Sequence, residues 1–239
     1  MLCQAVGPLR HGPSDGATSP FRGGLLLTLD LFPEDRGKMP LDNGAFVLGG
    51  FASEQAEALL QHIAAIAAAA PFRQLVTPGG KTMSVAMTNA GKLGWVSDRR
   101  GYRYEPADPL SGKRWPAMPE TFRALALEAA AAAGYSDFRP DACLINRYTP
   151  GSRLTLHQDR DEGHYDWPIV SVSLGVPAIF LWGGAERSDR ARRVPLEHGD
   201  VVVWGGASRL HFHGIADLKP HTHPLTGALR YNLTFRKAG

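Results

Sequence analysis

Cysteine is scarce in this sequence, which holds only Cys3 and Cys143 among 239 residues. Two thiols exclude the disulfide framework that stabilises many small secreted proteins. Long apolar runs are missing as well, because the stretches at 64–70 and 124–133 are alanine-rich and too short to cross a bilayer. No apolar segment follows a cationic start, so we expect no signal peptide. These features predict a cytoplasmic protein that does not enter a membrane.

Charge of one sign is also limited, since the formal net charge is only +3. A hydrophobic fraction of 44% and a charged fraction of 21% are ordinary for a globular protein and exclude a disordered or collagen-like chain. The length suffices for one sizeable domain. The small positive excess is compatible with a polyanionic partner such as nucleic acid, but it does not require one.

Composition divides the chain into a tail and one domain. Residues 1–26 are rich in Gly, Pro and Ser and predict a flexible N-terminal tail, whereas residues 27–239 predict a single domain. Within the domain, Ser53 has the position of a helix N-cap, and the alanine-rich pattern after it predicts a helix. A second helix is expected to open at Pro119-Glu120-Thr121 and to run through Ala133, with Gly134 closing it.

The part of the chain at 141–239 has a different character. Short β-type segments recur there at close spacing, with Gly, Pro, Asn or Asp between them: ACLINRYT, RLTLHQD, PIVSVSLG, AIFLWG, DVVVWGG, SRLHFHGI and RYNLTFR. No helix-length pattern intervenes. Such spacing is typical of an antiparallel sandwich or barrel, so the predicted fold class is mainly β with flanking helices.

Two of these segments carry residues that can bind a metal. His157 and Asp159 are two residues apart, and alternate residues of a strand point to one face. The later segment SRLHFHG adds His211 and His213, either of which completes a set of two histidines and one carboxylate, a ligand set typical of non-haem Fe(II) oxygenases. Spacing does not decide between them, although Gly214 suggests a strand end next to His213. A surface histidine beside a solvated acid is the alternative interpretation of His157 and Asp159.

The last segment suggests an anion site. Period-two alternation places Arg230, Asn232, Thr234 and Arg236 on one face of a strand. Inward-facing arginines need anionic partners, and a guanidinium binds carboxylates in bidentate fashion. A dicarboxylate co-substrate is therefore a natural ligand, and two further polar residues could bind it, namely Asn146 and Tyr148. The alternative is that this face is exposed to solvent, as on many edge strands.

These segments also resemble those of a known family. The sequence is similar to the AlkB family of DNA-alkylation repair dioxygenases from about residue 27 to the C-terminus, in the segments PFRQLVTPGGKTMSVAMTNAG, LGWVSDRRGYRY, WPAMPETF, DACLINRYTPGSRLTLHQDRDE, PIVSVSLGVPAIF, EHGDVVVWGG and RYNLTFR. The resemblance implies a double-stranded β-helix (a jelly-roll) at 141–239, with helices against one sheet and a nucleotide-recognition lid at about 72–115. It implies Fe(II), 2-oxoglutarate and dioxygen as cofactors and co-substrates.

The resemblance also assigns residues to roles. It implies iron ligands at His157, Asp159 and His213. It implies a 2-oxoglutarate pocket in which Arg230 binds the distal carboxylate, with Arg236, Asn232, Asn146 and Tyr148 nearby. Substrate contacts would come from Trp95, Tyr102, Asp161, Thr77, Met87 and Arg187, since an extruded base needs an aromatic face and polar groups for its pairing edge.

The implied activity is oxidative demethylation of bases such as 1-methyladenine and 3-methylcytosine, with release of formaldehyde, succinate and CO2. The expected partner is alkylated DNA, with a preference for single strands over duplex, and the expected state is a monomer. Three alternatives stay open: the same iron chemistry on RNA or another substrate, a cupin-like metal-binding module without redox chemistry, and a damage-sensing binder without turnover.

Overall fold

A computed structural model describes residues 36–239, so the predicted tail at 1–26 and the predicted start of the domain at 27 lie outside the described residues. Two helices and fourteen strands follow along the described part. The helices are α1 (Ala56–Ala69) and α2 (Glu120–Ala132). The strands are β1 (Lys38–Asp42), β2 (Ala45–Leu48), β3 (Arg73–Val76), β4 (Thr82–Gly91), β5 (Gly94–Asp98), β6 (Gly101–Glu105), β7 (Ala142–Tyr148), β8 (Leu154–His157), β9 (Ile169–Gly175), β10 (Ala178–Trp182), β11 (Arg192–Leu196), β12 (Val201–Trp204), β13 (His213–Ile215) and β14 (Arg230–Arg236).

The strands form two facing antiparallel sheets and one separate hairpin. The large sheet has the order β1-β2-β12-β9-β14-β7-β4-β3, and the small sheet has the order β11-β10-β13-β8. In the described part of the chain, β5 and β6 pair only with each other, as a two-stranded sheet. The two main sheets make the predicted double-stranded β-helix, and the fold class of mainly β with flanking helices is confirmed.

Apolar side chains are buried on both faces of the large sheet. One cluster packs the two helices against its outer face, and Leu59 and Ile63 of α1 take part at helical spacing. Phe122 of α2 meets Phe235 edge to face, with ring centroids 5.9 Å apart. A second cluster, which includes Phe180, fills part of the space between the two sheets. Burying each large apolar side chain contributes about 1.5–3 kcal/mol, so the helices are held by their packing on the sheet.

Strand β14 is central in the large sheet, between β9 and β7. Its residues alternate as predicted: Leu233 and Phe235 belong to the cluster under the helices, whereas Arg230, Asn232 and Arg236 face the space between the sheets. All three of these polar residues are buried. The alternative of a solvent-exposed edge strand is therefore wrong.

Some local predictions need correction. Helix α1 starts at Ala56, and Ser53 is not its N-cap, because Gln55 holds that position without a side-chain hydrogen bond. Strand β8 ends at His157, so Asp159 lies just beyond the strand and not within it. Helix α2, by contrast, agrees with its prediction to within one residue, because it starts at Glu120 directly after Pro119 and has Ala133 as its C-cap. None of the described helices is long and apolar enough to span a bilayer.

Candidate active site

A cavity of about 870 Å³ opens between the two sheets at one end of the β-helix. Its walls include all the residues that the sequence predicted for iron, 2-oxoglutarate and substrate: His157, Asp159, His213, Asn146, Tyr148, Arg230, Asn232, Arg236, Trp95, Tyr102, Asp161, Thr77, Met87 and Arg187. These residues come from seven strands and several loops. The fold therefore brings the whole predicted set to one place.

His157, Asp159 and His213 form one cluster whose ligand atoms lie within 4.8 Å of one another. Nε2 of His157 is 3.7 Å from Oδ1 of Asp159, and Nε2 of His213 is 3.6 Å from Oδ2. Strands β8 and β13 are neighbours in the small sheet, and their register pairs His157 with His213. This cluster can hold a divalent ion through two imidazoles and one carboxylate, with room for further ligands on the cavity side.

Both histidines are oriented for metal binding by their second nitrogen. Nδ1 of His157 lies 2.8 Å from the carbonyl oxygen of Thr155, and Nδ1 of His213 lies 3.0 Å from that of His211. These contacts place the proton of the neutral ring on Nδ1 and leave the Nε2 lone pair facing Asp159. Desolvation in the cavity, helped by His213, lowers the pKa of His157 to about 4. The imidazole is thus neutral near pH 7, as a metal ligand must be.

The carboxylate of Asp159 is ionised and held by Arg236. The guanidinium of Arg236 donates to Oδ2 from Nη2 at 2.6 Å and from Nε at 3.1 Å. Burial alone would raise the pKa of Asp159, but the charge of Arg236 outweighs it and holds the pKa well below its ordinary value. The donor set therefore fits Fe(II).

His211 and His213 do not face the same way, contrary to the strand pattern predicted for SRLHFHG. A 3-10 turn covers Gly206–Ser208, and β13 starts only at His213. His211 instead packs its ring 5.4 Å from that of Trp182 and places Nδ1 3.7 Å from Oδ2 of Asp42. The geometry selects His213 as the member of the metal cluster.

Arg230 is a buried cation with no carboxylate partner among the described residues. Only 1% of its surface is exposed. Its Nη2 donates to Ser173 Oγ at 3.0 Å, and its guanidinium lies 5.0 Å from the ring centre of Tyr148. Within residues 36–239, the Nε and Nη1 groups have no hydrogen-bond partner. Because an unpaired buried charge is costly, these two free donors fit an anionic ligand such as the distal carboxylate of 2-oxoglutarate.

The remaining predicted co-substrate residues form a polar floor beside Arg230. Asn146 Nδ2 donates to Asn232 Oδ1 at 3.2 Å, and Thr234 Oγ1 donates to the same oxygen at 2.9 Å. Asn232 Nδ2 donates in turn to Ser171 Oγ at 2.8 Å. Burial raises the pKa of Tyr148 to about 12, so its hydroxyl stays protonated and can donate. This floor is fixed by its own hydrogen bonds before any ligand binds.

The hairpin of β5 and β6 forms the outer wall of the cavity. The rings of Trp95 and Tyr102 stack with centroids 5.5 Å apart and planes 14° from parallel. Trp95 Nε1 donates to Asp161 Oδ2 at 2.8 Å. An aromatic face and a carboxylate acceptor therefore lie side by side, the combination that an extruded base requires. Three other predicted residues complete the wall: Thr77, Met87 and Arg187.

Sequence reasoning missed several residues that act through these groups. Glu162 and Arg209 are buried behind Asp159, and Tyr104 donates from β6 to Glu162 Oε1 at 2.8 Å. Ser173 holds Arg230. The spacing of Tyr104 from Tyr102 indicates a shared strand face, but no local signal identifies Glu162 or Arg209, because their partners are distant in the sequence.

Comparison with known proteins agrees with this geometry. The model of the 2OG-Fe(II) oxygenase superfamily matches residues 44–236. The alpha-ketoglutarate-dependent dioxygenase AlkB of Escherichia coli K12 is 60% identical over 212 residues, which cover 88% of this chain and 98% of that protein. Human nucleic acid dioxygenase ALKBH1 is 34% identical over 131 residues, covering 54% of this chain and 33% of the human protein. The solved structure of OsALKBH1 has a TM-score of 0.74 and 32% identity, covering 84% of this chain and 99% of that one.

Proposed function

Since this chain belongs to the AlkB family within the 2OG-Fe(II) oxygenase superfamily, we propose that it is an oxidative demethylase of N-alkylated bases in DNA, with His157, Asp159 and His213 as its iron ligands. The enzyme is a dioxygenase that uses Fe(II), 2-oxoglutarate and dioxygen. The observation that carries the proposal is the placement of three sites in one cavity: the metal cluster, the buried cation Arg230, and the aromatic wall with its carboxylate.

The cavity gives each reactant its own residues. The metal cluster would hold Fe(II), and Arg230 would bind the distal carboxylate of 2-oxoglutarate with Nε and Nη1. When bound, these groups supply the oxidation of a C–H bond by dioxygen, while 2-oxoglutarate is converted to succinate and CO2. Of the two oxygen atoms of dioxygen, one would end in succinate and the other on the N-methyl carbon of the base. The resulting hydroxymethyl group would be lost as formaldehyde, which restores the N–H or the free lone pair of the ring nitrogen.

The protein's remaining task is to place the methyl group. Trp95 would offer its ring face to the base, and His157 lines the same cavity. Asp161 accepts a hydrogen bond from an exocyclic amine and favours a cationic base, which N-methylation of adenine N1 or cytosine N3 produces. This pairing of an aromatic face with an acid explains why 1-methyladenine and 3-methylcytosine are the proposed substrates.

Access to the cavity favours a base that is already unpaired. A methyl group on the pairing edge prevents normal pairing and lowers the cost of extrusion, and a single strand removes that cost altogether. We therefore propose a preference for single-stranded DNA over duplex. We also propose that the protein acts as a monomer and is located in the cytoplasm. Residues 72–115 would serve as the nucleotide-recognition lid, since their hairpin β5–β6 carries Trp95 and Tyr102 as a separate sheet.

The test is a mass measurement on an oligonucleotide. Enzyme reconstituted anaerobically with Fe(II) and 2-oxoglutarate is mixed with air and a single strand that contains 3-methylcytosine. We expect the strand to lose one methylene group, and the loss to disappear in His157→Ala and Asp159→Ala. The matched control is His221→Ala, because His221 is exposed and does not line the cavity. Succinate formation with an unchanged strand would exclude this substrate and leave RNA or another molecule as the target.

A further inference from the structure

Behind the metal cluster lies a buried network of two acids and two arginines. Glu162 has 1% of its side chain exposed, and its Oε1 lies 3.2 Å from Arg236 Nε, while its Oε2 lies 3.3 Å from Arg209 Nη2. Both arginines also bind Asp159. Arg236 donates to its carboxylate, and Arg209 Nη1 donates to its backbone carbonyl at 2.7 Å. Glu162 thus holds the two groups that hold the metal ligand.

The carboxylate of Glu162 also contacts the β5–β6 hairpin, which forms the aromatic wall of the cavity. Tyr104 OH donates to Glu162 Oε1 at 2.8 Å, across 58 residues of sequence. Tyr104 is the register partner of Trp95 in the β5–β6 hairpin. Trp95 itself donates to Asp161, the residue before Glu162. Two neighbouring aromatic side chains of the hairpin are therefore tied to two neighbouring acids that follow Asp159.

Further hydrogen bonds hold the hairpin through its other strand, β5. The backbone of Trp95 is fixed by the side chain of Asn89, with N–H···Oδ1 and Nδ2–H···O contacts of 3.0 Å each. Ser97 Oγ donates to the carbonyl of Val76 at 2.7 Å. These contacts anchor β5 to the large sheet. The hydroxyl of Tyr104 is the side-chain contact of β6, among the described residues, that reaches the acids behind the metal cluster.

We propose that Tyr104 and Glu162 are positioning residues that couple the hairpin to the metal ligand Asp159, so that engagement of a base at Trp95 and filling of the metal and 2-oxoglutarate sites favour each other. This inference rests on the proposed function, because it takes Asp159 as a metal ligand. The route runs from the Tyr104 hydroxyl to Glu162, from Glu162 to Arg236 and Arg209, and from both arginines to Asp159. Coupling between two sites is reciprocal, so it can be measured from either end.

Hydrogen exchange of the hairpin amides measures the coupling without turnover and without nucleic acid. Mn(II) replaces Fe(II), and exchange at Gly94–Glu105 is compared with and without Mn(II) plus 2-oxoglutarate. In the parent protein we expect the ligands to slow exchange by about fivefold or more. In Tyr104→Phe, which keeps the ring and removes only the donor, we expect most of that slowing to be lost. Tyr135→Phe is the matched control, since its hydroxyl donates to the carbonyl of Gly44, outside the cavity.

A second variant separates coupling from simple support of the fold. Glu162→Gln keeps the size of the side chain and an acceptor for Tyr104 but removes the charge between the two arginines. Both variants should also raise the ratio of succinate formed to base demethylated, because the oxidation would run with the base poorly placed. A variant that only weakened the fold would lower both products together and leave their ratio unchanged.

The outcomes distinguish this inference from the proposed function. If the parent protein binds no Mn(II), the proposed site fails and the coupling fails with it. If Mn(II) and 2-oxoglutarate bind but slow hairpin exchange equally in the parent protein and in Tyr104→Phe, the coupling is wrong while the proposed function stands. Loss of the slowing in Tyr104→Phe and Glu162→Gln, with the Tyr135→Phe protein unchanged, supports the coupling.

Discussion

Arg236 binds Asp159 through two nitrogens, with Nη2 at 2.6 Å and Nε at 3.1 Å from Oδ2. One oxygen of the metal ligand is therefore already occupied as an acceptor, and Oδ1 is the freer one. We expect Arg236→Met to weaken Mn(II) binding by about 10- to 100-fold, because the carboxylate loses the group that orients it. Isothermal calorimetry measures the affinity. Arg123→Met, on an exposed arginine of α2, should leave it unchanged.

Arg230 should show opposite effects on stability and on ligand binding. Its guanidinium is buried and lacks a carboxylate partner among the described residues, so it destabilises the ligand-free fold. We expect Arg230→Met to keep or raise the unfolding temperature without 2-oxoglutarate. The affinity for 2-oxoglutarate should fall by about 2–5 kcal/mol, because the carboxylate of the ligand loses its cation.

Thermal unfolding with and without 2-oxoglutarate separates these two effects. The parent protein should be stabilised by the co-substrate and the variant should not. If Arg230→Met instead lowered the unfolding temperature of the ligand-free protein, Arg230 would stabilise the fold even without a carboxylate partner among the described residues.

Trp95 should contribute to base binding and not to co-substrate binding. Its ring stacks on Tyr102 and its indole N–H donates to Asp161. We expect Trp95→Ala to raise the KM for a 3-methylcytosine oligonucleotide by about 10- to 100-fold, as loss of a stacking surface costs about 1–3 kcal/mol per base. Trp95→Phe keeps an aromatic face and should recover most of this loss. An equal rise of the KM for 2-oxoglutarate would contradict the assignment.

The part of the site that sequence could predict depends on local alternation. Arg230, Asn232 and Arg236 were placed correctly, because residues two apart in a strand share a face whatever the rest of the fold does. The choice between His211 and His213 could not be made this way, since the 3-10 turn before β13 breaks the alternation. Glu162 was missed for a different reason.

The role of Glu162 comes from tertiary contacts and not from its neighbours in sequence. Its partner Tyr104 is 58 residues away, and its contacts with Arg209 and Arg236 form only when the two sheets face each other. Tertiary contacts also decide the conformation of β4, a ten-residue strand that pairs with β7. Its Gly and Asn residues suggested turns, and burial in the sheet overrides that local preference.

A pair of stacked histidines far from the metal cluster should make stability depend on pH. His198 and His223 stack with centroids 4.2 Å apart, and His198 Nδ1 accepts from the backbone N–H of Gly175 at 2.9 Å. Desolvation, together with His223, lowers the pKa of His198 to about 4, although Asp200 opposes the shift. The folded protein therefore resists protonation at His198, while the unfolded chain accepts a proton near pH 6.5.

Because the pKa of His198 is lower in the folded protein than in the unfolded chain, its effect on the unfolding free energy depends on pH. The contribution of His198 is fully present above pH 6.5 and is lost as the pH falls from 6.5 towards 4. We expect it to be on the order of 1–2 kcal/mol, because His198 is partly exposed. His198→Gln, which can still accept from Gly175, should flatten the fall of the unfolding free energy across this range in denaturant titrations. His164→Gln, on an exposed histidine, should leave the slope as it is.

Gly214 sets the distance between the two strands that carry the histidine ligands. A Cβ atom at this position would lie 2.6 Å from the carbonyl oxygen of Leu154 and 3.2 Å from the nitrogen of Leu156. These are backbone atoms of the neighbouring segment, so no side-chain rotation can relieve the contact. Strand β13 would have to move away from β8, and with it His213 from His157.

We expect Gly214→Ala to lower stability by about 1–3 kcal/mol, as overpacking does, and also to weaken Mn(II) binding. Gly163→Ala is the matched control, because a Cβ there meets only one atom, at 3.9 Å. The Mn(II) affinities of the two variants are then compared. If β13 is displaced in Gly214→Ala, metal binding must first restore the spacing of His157 and His213, and this cost lowers the affinity. If Gly214→Ala destabilised the fold but bound Mn(II) as tightly as the parent protein, the β8–β13 spacing would not control the metal site. The two histidines would then have to reach the ion by side-chain rotation alone.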